Sequence, residues 1–252
     1  MPQPIKRILI SQPKPVSGNS PYYGITKKYG VTIDFRQFIQ VVTLEAPEFR
    51  KQKVNIASFP AIIFTSRTAI THFFDLVKAM RLNVSQEVRY FCLTESVALY
   101  LQKFITYRKR RVSFGTDGSI ESMIAAIHKH EQDRYLVPVA EDRSSELADK
   151  LRAEEIDFQE AVMFRTQSRM FDKKKETIAD YDAVVFFSPK GITSLFDNYP
   201  DFKQGDCHII ASGPQTAKAI EEAGLRLDLN LAEGGVGMSL VEVLDQYVSE
   251  HL

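Results

Sequence analysis

The segments "AVVFFSPKGITSLFD" at residues 183–197 and "AIIFTSRTAITHFFD" at residues 61–75 are two versions of one motif. Seven of fifteen aligned positions are identical: Ala61/Ala183, Phe64/Phe186, Ser66/Ser188, Ile70/Ile192, Thr71/Thr193, Phe74/Phe196 and Asp75/Asp197. Each copy opens with a short apolar, β-rich run, the pattern of a strand covered on both faces. A serine follows, then apolar residues at spacings of three and four. That order reads as an N-cap leading into an amphipathic helix. In the second copy Pro189 takes the first helical position, where its fixed φ suits the helix and no N–H is missed. A strand–serine–helix unit used twice predicts a duplicated α/β architecture.

The repeat extends beyond the quoted segments. After the second copy, "CHIIASGPQTAKAIEEAGLRLDLNL" reads as strand, Gly-Pro turn, helix, glycine stop and strand, and "AEGGVGMSLVEVLDQYV" as a glycine-rich turn into a helix. After the first copy, "VRYFCLT", "ESVALYLQKF", "RRVSFGTDGS" and "IESMIAAIHKH" repeat the alternation, and "DRYLVPVAEDRSSELADKLRAEE" adds one more strand–helix unit. Such alternation is the signature of right-handed βαβ units around parallel sheets. The chain start, "IKRILISQP" and "NSPYYGITKKYG", supplies a further strand and helix. Two β-rich segments, 35–45 and 158–169, follow no helical period and are expected to pair antiparallel as a bridge. The expected fold is therefore α/β, with two similar parallel-sheet domains, bilobed by internal duplication, and a ligand cleft between them. One domain takes residues 1–34 plus 170–252, and the other takes 46–157.

Thirty-two Lys and Arg balance 32 Asp and Glu. Zero net charge argues against a general nucleic-acid or membrane-surface binder and leaves a locally recognised anion possible. No run approaches the length of a membrane span, and the apolar run around Ile8–Ile10 is too short for a signal peptide. Cys92 and Cys207, in or beside apolar runs, read as reduced thiols of a cytoplasmic protein. The cationic runs "YRKRR" (107–111) and "FDKKKE" (171–176) read as solvated surface. His128 and His130, two apart on a helix, face different ways and do not share a metal. His72 and His208 stand alone. The "EGGVG" turn lacks the lysine of a phosphate loop.

In parallel α/β sheets ligands settle beyond the carboxyl ends of strands, where helix starts present free N–H groups. Ser66, Ser188 and the Gly213–Thr216 turn belong at such ends, which suit carboxylates or phosphates. Each also has a plainer reading. Either serine is favoured there as a simple helix cap, Thr216 as a bond to its own turn, and Arg143 and Lys190 as solvated surface cations.

The motifs "FTS", "LVPVAEDRSSEL", "FFSPKG" and "SGPQTAKAIEEAGL", in this order and spacing, resemble uroporphyrinogen-III synthases over nearly the whole chain. The resemblance implies a cofactor-free lyase that closes hydroxymethylbilane, a linear tetrapyrrole bearing eight carboxylates. Closure inverts the last pyrrole ring through a spiro intermediate and expels water. It implies substrate contacts at Ser66, Ser188 and Thr216, with the cations Arg67, Arg143 and Lys190 for the carboxylates. A monomer that is handed its substrate by hydroxymethylbilane synthase is expected, with no metal, nucleic acid or membrane partner. One position departs from the family pattern. Phe164, in "VMFRT", stands where relatives carry a tyrosine that assists departure of the hydroxyl, so the acid is unassigned. A non-catalytic tetrapyrrole- or anion-binding relative is the alternative that Phe164 keeps open.

Overall fold

The computed structural model describes residues 4–16, 20–172, 175–235 and 237–252. Ser17–Asn19, Lys173 and Lys174 of the "FDKKKE" run, and Val236 of the "EGGVG" turn lie outside the described residues. The first half of the chain forms β1 (Arg7–Ile10), α1 (Tyr22–Tyr29), β2 (Thr32–Phe35), β3 (Ile39–Thr43), α2 (Ala46–Arg50), β4 (Ala61–Phe64), α3 (Arg67–Ala79), β5 (Arg89–Cys92), α4 (Glu95–Tyr100), β6 (Val112–Phe114) and α5 (Ile120–His128). The second half forms β7 (Tyr135–Ala140), α6 (Glu146–Ala153), β8 (Phe158–Ser168), β9 (Ala183–Phe186), α7 (Pro189–Asn198), β10 (His208–Ala211), α8 (Pro214–Glu222), β11 (Leu229–Asn230) and α9 (Leu240–Glu250).

The chain divides into two compact units. A discontinuous unit holds Met1–Gln40 with Gln167–Leu252, and a continuous unit holds Val41–Thr166. The discontinuous unit carries a five-stranded sheet in the order β11-β10-β9-β1-β2, with all four pairings parallel. The continuous unit carries a six-stranded sheet in the order β3-β8-β7-β4-β5-β6. Its β4–β5, β4–β7, β5–β6 and β7–β8 pairings are parallel.

The two copies of the repeat occupy the same place in their sheets. β4 and β9 are the matched "AIIF" and "AVVF" runs, buried at every residue. Their alternate residues feed opposite faces, as the two-residue period of a strand requires. In the continuous unit Ile62 and Phe64 enter one apolar cluster and Ala61 and Ile63 another. In the discontinuous unit Ala183 and Val185 enter one and Val184 and Phe186 another. A sheet buried on both sides explains why these strands are continuously apolar.

The copies differ in where the flanking strands come from. Beside β4 lie β7 and then β8, which follow it in sequence; beside β9 lie β1 and then β2, from the chain start. The strand–helix–strand unit β1-α1-β2 thus plays the part in one sheet that β7-α6-β8 plays in the other.

The β-rich segments at 35–45 and 158–169 are neighbours in the six-stranded sheet, as β3 and β8. The first is shorter than its sequence pattern implies. Phe35 closes β2, and residues 36–38 interrupt the run. Phe38 is fully buried, edge-on to Phe171 and Phe186 at 5.0 and 5.3 Å between ring centres. Its carbonyl accepts from the Arg169 N–H at 2.8 Å and from the Ser194 hydroxyl at 2.5 Å. Six residues later, just past the end of β3, the Leu44 N–H bonds the Met163 carbonyl at 2.8 Å.

Asn198, also on α7 and fully buried, completes that seam. Its side-chain oxygen accepts from the Phe171 N–H at 2.7 Å, and its amide nitrogen donates to the carbonyls of Arg169 and Ser194, both at 2.8 Å. The two points where the chain leaves and re-enters the discontinuous unit are thereby pinned to one helix.

Candidate functional site

The strand ends lead into helix starts in both units, and these starts differ in whether their N–H groups are satisfied. In the continuous unit the expected Ser66 cap is present, and two further helices are capped as well. The Ser66 hydroxyl accepts from the Ala69 N–H at 3.0 Å, and the Thr94 hydroxyl from the Val97 N–H at 3.3 Å. Ser119 caps α5 in the same way, accepting from Ser122 at 3.1 Å.

In the discontinuous unit, α7 and α8 start differently. Ser188 holds the N-cap position with extended backbone, yet its side chain makes no capping bond. The Gly191 N–H, where a cap would act, turns to the Ser188 backbone carbonyl at 3.0 Å. α8 begins at Gly213, which has no side chain to cap with. Both helices carry proline at the first position, and they follow adjacent strands, β9 and β10. Two neighbouring helix starts without side-chain caps leave donors and positive dipole ends for an incoming anion.

Thr216 sits in the first turn of α8 and is only 3% exposed. Among the described residues its hydroxyl has no hydrogen-bond partner, and no fully buried side-chain N or O atom is left unpaired. The Thr216 oxygen therefore reaches the surface beside the free N–H groups. The equivalent oxygen of Ser188 is likewise uncommitted. The oxygen of Ser66, the third hydroxyl, accepts in its cap, which leaves its O–H to donate.

The cations are placed less uniformly. Arg67 opens α3 with its guanidinium 5.8 Å from the Tyr100 ring centre. Lys190 opens α7 and has a partner of its own. Arg143 is exposed in the turn after β7, with its guanidinium 2.8 and 3.3 Å from one Glu160 oxygen. That bond raises its pKa and takes up half of its charge-bearing fork. Two other arginines carry no sequence signal. Arg36 and Arg169 flank the Phe171 ring at 5.3 and 5.1 Å and line a cavity of about 430 Å³ with Lys14, Asp34, Glu176 and Tyr181. A second cavity, of about 340 Å³, lies where the chain enters β5 and β6, at the opposite strand ends from Ser66.

Phe164 lies at the carboxyl end of the β7–β8 pair, opposite Ala140, and is 8% exposed. The His72 imidazole stacks on it, ring centres 5.0 Å apart at 22°. His72 Nδ1 is 2.7 Å from the Thr43 hydroxyl on β3. Burial lowers the pKa of this imidazole, and the nearby Asp75 opposes that. The sequence showed only a lone histidine, because its neighbours come from β3 and β8.

Among the described residues no group of three or more His, Cys, Asp or Glu side chains is arranged to hold a metal ion, and no helix is long and apolar enough to cross a membrane. Both cysteines are free, and burial pushes each thiol up to about 12.

A family model described as uroporphyrinogen-III synthase HemD matches residues 22–249. The chain belongs to the uroporphyrinogen-III synthase family. A curated relative, a putative uroporphyrinogen-III synthase of Methanocaldococcus jannaschii, is 24% identical over 73% of this chain and 78% of its own. The crystal structure of uroporphyrinogen-III synthetase from Helicobacter pylori 26695 superposes with a TM-score of 0.55 at 16% identity, covering 98% of this chain and 100% of that one. At that identity the likeness concerns the fold.

Proposed function

We propose that this member of the uroporphyrinogen-III synthase family closes hydroxymethylbilane to uroporphyrinogen III, inverting the last pyrrole ring and releasing water. The observation that carries the reading is the family match across residues 22–249. The geometry fits a substrate with many carboxylates. Ser188, Thr216 and the open N–H groups of α7 and α8 supply donors for one group of carboxylates, with Lys190 beside them. Arg67 and the exposed side of Arg143 supply charge in the continuous unit. Ser66 offers its O–H as a donor while its oxygen caps α3.

Loss of water with carbon–carbon bond formation is redox-neutral, so the reading is that of a lyase that calls for no redox cofactor. The protein's task is orientation. Without guidance the open chain closes to the uninverted isomer, and holding reactive ends in place is worth up to roughly 7–11 kcal/mol. The reading extends to a soluble cytoplasmic monomer that receives its unstable substrate from hydroxymethylbilane synthase.

The test is a coupled assay from porphobilinogen and hydroxymethylbilane synthase, with oxidation and chromatographic separation of uroporphyrins I and III. Isomer III in excess is the expected result. Isomer I alone, from folded protein, overturns the reading and leaves a non-catalytic tetrapyrrole-binding relative. Thr216→Val and Ser188→Ala are expected to raise KM by roughly 10- to 150-fold each, as lost hydrogen bonds to charged groups cost about 1.5–3 kcal/mol. An unchanged KM removes them from the site.

A further inference from the structure

We propose that His72 is the proton donor to the departing hydroxyl of the substrate's hydroxymethyl group. This rests on the reading above and goes on to name the acid that Phe164 does not provide. Hydroxide is a poor leaving group, and a proton delivered to its oxygen turns it into water. Phe164 has no proton to give, and an aliphatic hydroxyl such as that of Ser66, whose oxygen accepts from the Ala69 N–H, is far too weak an acid at neutral pH. Histidine alone has an unperturbed pKa that places its charge change near neutrality.

The surroundings of His72 fit the charged and the neutral form in turn. Its Nδ1 lies 2.7 Å from the Thr43 hydroxyl, which accepts when that nitrogen is protonated. Nε2 has no partner among the described residues, and since no fully buried side-chain nitrogen is left unpaired, it reaches the surface. The Phe164 ring presents its face to the imidazole at 5.0 Å, an arrangement that favours a cation. The charged group acting on His72 is Asp75, on the same helix, and its negative charge favours the imidazolium. From β3 and β8 the facing side chains are Thr43 and Phe164, which do not titrate. A bound polycarboxylate adds to the pull of Asp75 and opposes burial, which otherwise keeps the ring neutral.

The step balances. The carbon–oxygen bond breaks with its electron pair on oxygen, the Nε2 proton joins that oxygen, and water leaves. The pyrrole nitrogen's pair fills the vacancy on carbon, giving an azafulvenium cation. After the new carbon–carbon bond forms, a ring carbon releases a proton and His72 takes one back, so one water is lost overall.

His72→Asn keeps a polar atom for Thr43 and removes the acid. In the coupled assay it is expected to lower kcat for isomer III about 100-fold with KM within threefold, the low end of general-acid effects. Imidazole added to His72→Ala is expected to restore part of that rate, which a structural role would not do. Wild-type kcat is expected to fall on the alkaline side with the pKa that an NMR titration of His72 gives in the substrate-free enzyme or above it. His72→Asn within threefold of wild type, or a fall at a pH below the His72 titration, overturns the assignment while isomer III still supports the function. Wild type making isomer I alone overturns both.

Discussion

Asn198 is a place where a single polar-to-apolar substitution should damage the discontinuous unit. Its side chain is fully buried and satisfies the Phe171 N–H at 2.7 Å and the Arg169 carbonyl at 2.8 Å. Asn198→Leu keeps the branched shape and the heavy-atom count but adds methyl bulk, so the cost is at least that of two stranded backbone groups. Each unsatisfied buried polar group costs about 1–3 kcal/mol, which gives about 3 kcal/mol together. For a chain of this size each kcal/mol moves Tm by about 2–4 °C, so a fall of about 6–12 °C is expected. Ser194→Ala is the control. The Phe38 carbonyl keeps the Arg169 N–H at 2.8 Å after the hydroxyl is gone, so only about 1 kcal/mol is lost. The two side chains are 3.3 Å apart, so the double mutant is expected to lose less than the sum of the singles. Near-UV circular dichroism on heating gives Tm, and amide exchange at Phe171 reads the seam directly. If Asn198→Leu melts within 2 °C of wild type, or no lower than Ser194→Ala, the bookkeeping of the seam is wrong.

Three further expectations concern stability. Gly115→Ala places a Cβ 2.7 Å from the Leu93 carbonyl oxygen and 3.0 Å from the Met123 nitrogen, both backbone, and is expected to cost about 1–3 kcal/mol in a denaturant titration. An unshifted midpoint would mean that the β6–α5 turn yields freely. Ser66→Ala removes a cap and should cost about 1 kcal/mol, whereas Ser188→Ala removes none and should leave Tm within a degree or two. Equal losses would show that Ser188 caps α7 after all. Burial lowers the pKa of His72 and of His208, whose Nδ1 is 2.7 Å from the Tyr247 hydroxyl. Below the ordinary value of 6.5 the unfolded chain binds protons that these folded imidazoles refuse. Their contribution is thus whole above about pH 6.5 and lost as pH falls through the lowered values. Tm should drop on acidification from pH 7 to 5, less steeply in His208→Asn; a Tm that rises instead would contradict the sign.

Much of this was legible in the sequence because the strands, caps and helices of the repeat are local. "AIIF" and "AVVF" are apolar throughout because both faces are covered, and a serine after each marks a helix start. What the residues could not reveal depends on contacts from elsewhere. The run 35–45 reads as one strand, but Phe38 is drawn into the core beside Phe171 and Phe186, and the ladder breaks there. The matched serines look alike, yet one caps and the other does not, because the N–H groups in the two first turns point to different acceptors. Arg143 read as a free cation because Glu160 lies on a neighbouring strand. His72 read as incidental for the same reason.

The strand order of the discontinuous unit also sets a timetable for making the protein. β1 lies between β2 and β9, with Ile8 opposite Ala183 and Ile10 opposite Val185. At a synthesis rate of roughly 5–20 residues per second, roughly 10–35 s separate the emergence of these partners from the ribosome. For most of that interval "RILI" has only β2 to pair with, and by its end the continuous unit has every strand of its core. A nascent chain halted before residue 183 should therefore contain one folded unit and a sticky, protease-sensitive leader.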